Sequence, residues 1–178
     1  MCTTSIYNIG RFNGMLIPIK GQVKMISYKF DKSIHSDDLF DLYNDVGWAA
    51  YTADLTQLQR GVASSRLVIS AWEEDELIGL VRVIGDGETI AYVQDILVKK
   101  AWQKQGLGRE LMRRVFEEVK HIRQVVLMTD AIDSNREVAN WYTMVGFKRF
   151  EDLGLQGFAR LNPINPPHSD PADFSDLR

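Results

Sequence analysis

At 178 residues the chain is one domain's worth, and its 45% hydrophobic and 25% charged residues match an ordinary globular protein. A net charge of −3 gives no electrostatic reason for nucleic-acid binding, and no apolar run reaches membrane-spanning length. Cys2 is the only cysteine, which excludes a disulfide framework and a thiolate metal cluster and suits the cytoplasm.

The first twenty-odd residues carry one short apolar patch, with no continuous signal-peptide core or small-residue cleavage site. Residues 1–24 are therefore expected to be a poorly ordered extension ahead of a domain over 25–162. Met25 to Phe30 predicts a first strand. Ser36-Asp37-Asp38 predicts a capped helix start leading into Leu39, Phe40, Leu42, Tyr43 and Val46, with Gly47 as its end. Ala53 to Gly61 predicts another short helix. Strands are expected over Leu67–Trp72, Leu77–Ile84 and Thr89–Val98, joined by turns at Glu73–Glu76 and Asp86-Gly87.

From Gly108 to Ile122 the apolar period becomes helical, with Leu111, Val115 and Val119 on one face. Gln124 to Thr129 predicts a buried strand. Ser134-x-x-Glu137 is a capping box for a last helix that Gly146 ends. Phe147–Phe150 and Leu155–Leu161 are expected to be the final strands. A polar tail over 163–178 contains Pro163, Pro166, Pro167 and Pro171. Strands paired by hairpins and then joined through helices predict an α+β fold with a mixed central sheet flanked by helices.

The chemistry concentrates between Val93 and Gly108. An apolar strand and a basic loop lead into Gln103-Lys104-Gln105-Gly106-Leu107-Gly108, which opens a helix. Glycines allow close backbone approach, and a helix start offers unpaired N–H groups and a positive dipole end, so the segment suits a pyrophosphate. It is not a P-loop, because Arg109-Glu110 stands where Lys-Ser/Thr would be required. Nor is it a dinucleotide fingerprint, because Leu111 occupies the third small position.

The pattern Gln/Arg-x-x-Gly-x-Gly/Ala after a strand ending in valine resembles the acetyl-CoA motif of the GNAT family of N-acetyltransferases. Asn135 to Phe147 agrees, being similar to that family's Asn-x6-Tyr-x3-Gly-Phe segment through Asn135, Tyr142 and Gly146-Phe147. The resemblance implies the GNAT fold and an acetyl group moved from acetyl-CoA to a primary amine, by direct transfer within a ternary complex. It assigns cofactor contact to Lys104, Gln105, Gly106, Leu107, Gly108 and Arg109, with Gln103 bracing the loop and Asn135 adding a contact. The oxyanion donor would be a backbone N–H of Ile96, Leu97 or Val98. No metal is implied, and His35, His121 and His168 form no ligating spacing.

Tyr142 would protonate the departing thiolate, a phenol of pKa about 10 being close to a CoA thiol; the plainer reading is an aromatic that packs. For the general base two carboxylates and water compete. Asp95 interrupts an apolar strand and serves either as base or as a backbone anchor. Asp130 stands five residues before Asn135, as base or as a polar strand end. Trp48 and Tyr51, in an aromatic bend, either stack on an acceptor amine or belong to the core. That bend, with Arg82–Gly87 and the VQDILV segment, is loosely similar to the branch containing plant serotonin N-acetyltransferases and bacterial relatives. A small-molecule acceptor is favoured over a protein, and a homodimer is compatible with the reading. The alternative is a CoA-binding sensor or interaction module that has lost transferase activity.

Overall fold

Six strands form one sheet, ordered as they occur in the chain, in a computed structural model that describes residues 13–19, 22–129 and 136–160. Strands β1 (Asn13–Ile19) and β2 (Gln22–Lys29) pair antiparallel. Strands β3 (Leu67–Glu73), β4 (Glu76–Gly85) and β5 (Ile90–Val98) continue the antiparallel run. Strand β6 (Gln124–Leu127) joins β5 in parallel, as a crossover connection through a helix requires.

The sheet thus reaches back into the expected 1–24 extension. Asn13–Ile19 is an edge strand, the position where Pro18, lacking an N–H, is tolerated. Helix α1 (Ser36–Asp45) begins one residue earlier than the Ser36 cap implied: His35 is the cap, its Nδ1 accepting the Asp37 N–H. A short helix α2 (Ala49–Thr52) follows Gly47, and α3 (Leu55–Ser64) starts on the Asp54 cap, whose carboxylate accepts the Gln57 N–H at 2.9 Å. Helix α4 spans Leu107–Glu118 and α5 spans Arg136–Met144. Ser134 of the expected capping box lies outside the described residues.

Two cores sandwich the sheet. Leu107, Leu111, Met112 and Val115 of α4 pack on Ile26, Ile69, Val81, Val83, Ala91 and Val93, with Trp141 and Phe147 at the border. On the opposite face Leu39, Leu42 and Tyr43 of α1 and Leu58 and Val62 of α3 cover Val68, Leu77, Leu80 and Leu97. Strand β4 is therefore buried from Leu77 to Val83, which is why it reads as an unbroken apolar run.

The expected strands at Phe147–Phe150 and Leu155–Leu161 do not form among the described residues. Glu151–Leu153 make a turn of 3-10 helix, Gly154 follows in the left-handed region at φ 69°, and the Leu155 N–H returns to the Phe150 carbonyl at 2.8 Å. The chain coils there instead of extending. Residues 155–160 are exposed, Phe158 by 91%, and Leu161 lies outside the described residues.

Candidate active site

Strands β5 and β6 part company halfway along. Their parallel ladder runs from Ile90↔Gln124 to Val93↔Leu127 and stops, so among the described residues Gln94–Val98 have no strand partner on that side. The direction of each amide follows from the other side. Lys99 N–H donates to the Ile78 carbonyl at 2.9 Å, and Gly79↔Val98 and Val81↔Ile96 are register partners. Backbone groups alternate along a strand, so Leu97 and Asp95 bond to β4 while the N–H groups of Ile96 and Val98 face the open edge. The Val98 carbonyl on that edge is taken by Gln103, whose Nε2 donates at 2.9 Å.

The loop between this edge and α4 is held by its own side chains and by groups from β2 and α1. Trp102 is buried with the Lys24 ammonium 4.7 Å over its ring, and the Lys100 N–H donates to Asp45 at 2.6 Å. Gln105 Nε2 donates to the Ala101 carbonyl at 2.8 Å. Gly106 sits at φ 87° and Lys104 at φ 60°, a conformation that costs a non-glycine residue about 1–2 kcal/mol. Gly106 caps α4 with no side-chain hydrogen bond, and the first intrahelical bond is Glu110 N–H to Gly106 carbonyl at 3.0 Å. The N–H groups of Leu107, Gly108 and Arg109 therefore point out of the helix start, where the dipole favours an anion. Lys104 and Arg109 are exposed beside them.

Helix α5 closes over this turn. A side chain at Gly108 would meet Trp141 at 3.3 Å, so the glycine lets α5 lie close to α4. Tyr142 packs edge-on against Trp141 and Phe147, at centroid distances of 5.1 and 6.1 Å. Burial pushes its phenol above the ordinary value, and neighbouring Tyr92 adds to the rise. Tyr92 belongs to β5 just before the strands part. Its own phenol is raised by burial, partly offset by a bond from the Met128 N–H.

On the opposite face of β5 lies Asp95. Its carboxylate is fully buried, with Oδ2 accepting from Arg82 Nε at 2.6 Å and from the Tyr43 hydroxyl at 2.7 Å, and Oδ1 without a partner among the described residues. Burial first, and Asp95 second, raise the Tyr43 phenol. Trp48 stacks on Tyr51 at 5.5 Å, and both rings contact Tyr43. At 36% and 38% exposed they form neither core nor free surface, but a half-open aromatic pair. Gln94 reaches the Tyr51 hydroxyl at 3.4 Å.

The structure thus brings together the β5 edge, the glycine turn and Tyr142. It puts Asp95 on the other face of the sheet, with Tyr43. Asp130 and Asn135 lie outside the described residues. Among the described residues no group of His, Cys, Asp and Glu could hold a metal ion, and no helix is long and apolar enough to cross a membrane. Sequence reasoning missed Tyr92, Arg82 and Tyr43. An aromatic at 92 was visible, but its place at the parting of two strands depends on where β6 ends.

The profile of the Acetyltransferase (GNAT) family matches residues 32–147. An uncharacterized N-acetyltransferase, ycf52, of Gracilaria tenuistipitata var. liui is 26% identical over 78% of this chain and 75% of its own. A histone acetyltransferase, TAP1, of Glycine max is 26% identical over 77% of this chain and 62% of its own. Among solved structures, a GNAT-family acetyltransferase of Streptococcus pneumoniae TIGR4 superposes with a TM-score of 0.66 at 29% identity, covering 78% of this chain and 98% of that one. The α+β sheet, the glycine turn before α4 and these matches lead to one conclusion: the chain belongs to the GNAT family and is an acetyltransferase.

Proposed function

We propose that the chain transfers the acetyl group of acetyl-CoA to a primary amine, directly, with both substrates bound at once. One observation carries this reading: two outward N–H groups on the open edge of β5, Ile96 and Val98, lie in the strand that leads to the uncapped start of α4. A long ligand with an extended thioester arm joined to a pyrophosphate needs an extended edge for the arm and an anion site where the arm meets the pyrophosphate. The residues fit such a ligand, because Gly106 has open space beside it at the turn, and Gln103 and Gln105 hold its shape.

Acetyl-CoA supplies an activated thioester. The N–H groups of Ile96 and Val98 are the donors available to an oxyanion as the carbonyl carbon becomes tetrahedral. Tyr142 holds a proton at its phenol oxygen, and burial keeps that proton in place at neutral pH. When the carbon–sulfur bond breaks, that proton goes to the thiolate, and the amine's proton leaves through water. The half-open Trp48–Tyr51 pair supports a small, flat or apolar amine as acceptor. One cysteine in the whole chain suits a reducing cytoplasm.

The test is a panel of small amines and peptides, following CoA release with acetyl-CoA as donor. Release with a small aromatic or alkyl amine is expected. Tight acetyl-CoA binding without release from any acceptor would overturn the transfer reading in favour of a sensor. Turnover restricted to peptides would overturn the acceptor class alone.

A further inference from the structure

Strand β5 breaks its alternation once. Val83 pairs with Val93 and Arg82 with Asp95, so Gln94 is an extra residue, a β-bulge. Its consequence is visible in the cores. Ala91 and Val93 are buried under α4, whereas Leu97 is buried under α1 and α3. The bulge has exchanged the two faces of the strand. Losing it, a one-residue slip of the downstream pairing, would turn those side chains to the other face and the Ile96 and Val98 N–H groups towards β4.

Something must hold it in register, and the residue beside it does. Asp95 has a fully buried carboxylate that takes Arg82 from directly across the ladder and Tyr43 from α1. A buried charge deprived of either partner is costly, so the three groups meet only when residue 82 faces residue 95. Gln94 itself is tied, through the Tyr51 hydroxyl, to rings that pack at an angle against Tyr43. With no exposed side-chain surface, Asp95 also has no direct route for returning a proton to solvent.

We propose that Asp95, Arg82 and Tyr43 are positioning residues that lock the Gln94 bulge and so aim the Ile96 and Val98 amides at the open edge. The proposal rests on reading that edge as the thioester site. It gives Asp95 the work of a clasp instead of that of a base.

Four variants test it: Tyr43→Phe, Asp95→Asn, Arg82→Met and Arg82→Lys. Each is assayed for kcat and KM per folded molecule, for the pH dependence of kcat, and for the amide signals of Ile96 and Val98 by nuclear magnetic resonance. Tyr43→Phe keeps the ring and its packing, so it remains informative if Asp95→Asn fails to fold. The expected result is a fall in kcat of roughly tenfold with displaced Ile96 and Val98 signals and an unchanged pH profile. Arg82→Lys should recover part of what Arg82→Met loses.

Lower melting temperatures with wild-type kcat and wild-type amide signals would overturn the proposal, leaving a scaffold role. Loss of the acidic limb in Asp95→Asn, with Tyr43→Phe fully active, would also overturn it, in favour of a base. If the wild type releases CoA with no acceptor, the transfer reading fails separately, and the amide signals alone decide whether the clasp exists.

Discussion

Tyr142 acts as an acid only while it is protonated. Its pKa lies above the ordinary phenol value, chiefly through burial and then through Tyr92. The acid form is therefore complete at neutral pH and is lost only as pH rises past that higher value. No descending limb of kcat attributable to this group is expected below about pH 10. Tyr142→Phe should keep acetyl-CoA affinity in calorimetry while kcat falls about 100-fold, the lower end for general acid catalysis. A variant with wild-type kcat would reduce Tyr142 to packing. Gly108 and Gly106 separate two effects in the same turn. At Gly108 the obstacle is contact, with Trp141 at 3.3 Å, so Gly108→Val should weaken acetyl-CoA binding more than tenfold in a folded protein. At Gly106 there is open space but φ is 87°, so Gly106→Ala should cost about 1 kcal/mol of stability through backbone strain, read from thermal melting.

At the scale of elements, the turn between β4 and β5 carries a pH signature. Asp86 accepts the Thr89 hydroxyl and the N–H groups of Glu88, Thr89 and Ile90, which hold its carboxyl well below the usual range. In the unfolded chain it titrates near 3.9. Its stabilisation is thus complete above that pH and lost as pH falls towards the depressed folded value. Asp86→Asn should melt lower than wild type at pH 7, with the gap closing under acid; a gap independent of pH would refute the assignment. That turn, like β3, β4 and α4, was legible in the sequence, because Asp-Gly and a four-residue apolar period are local signals. The bulge was not. VQDILV reads as an apolar strand interrupted by polar residues, and only the partners of Asp95, 13 and 52 residues away, reveal that the strand changes face. The final strands were overread for a related reason: apolar residues at 147–160 suggest extension, but pairing depends on a distant edge.

Across the whole molecule, the sheet separates what would be two approaches to one strand. The glycine turn, Trp141 and Tyr142 lie with α4 and α5, while Trp48, Tyr51 and Tyr43 lie with α1 and α2. If the thioester runs along the open edge of β5, the acceptor can enter from the α2 end without displacing it. That arrangement favours direct transfer, and the residue inventory agrees. An acyl-enzyme route needs a nucleophile, usually a cysteine or an activated serine, beside the thioester. The chain's only cysteine is Cys2, and among the described residues the groups gathered near the edge are phenols and amides. Initial-velocity lines for acetyl-CoA at several fixed amine concentrations should therefore intersect, and Cys2→Ser should retain wild-type kcat. Parallel lines, together with acetylated protein isolated after incubation with acetyl-CoA alone, would establish a two-step route. The open edge would then be a binding groove for a donor that reacts with the protein before the amine arrives.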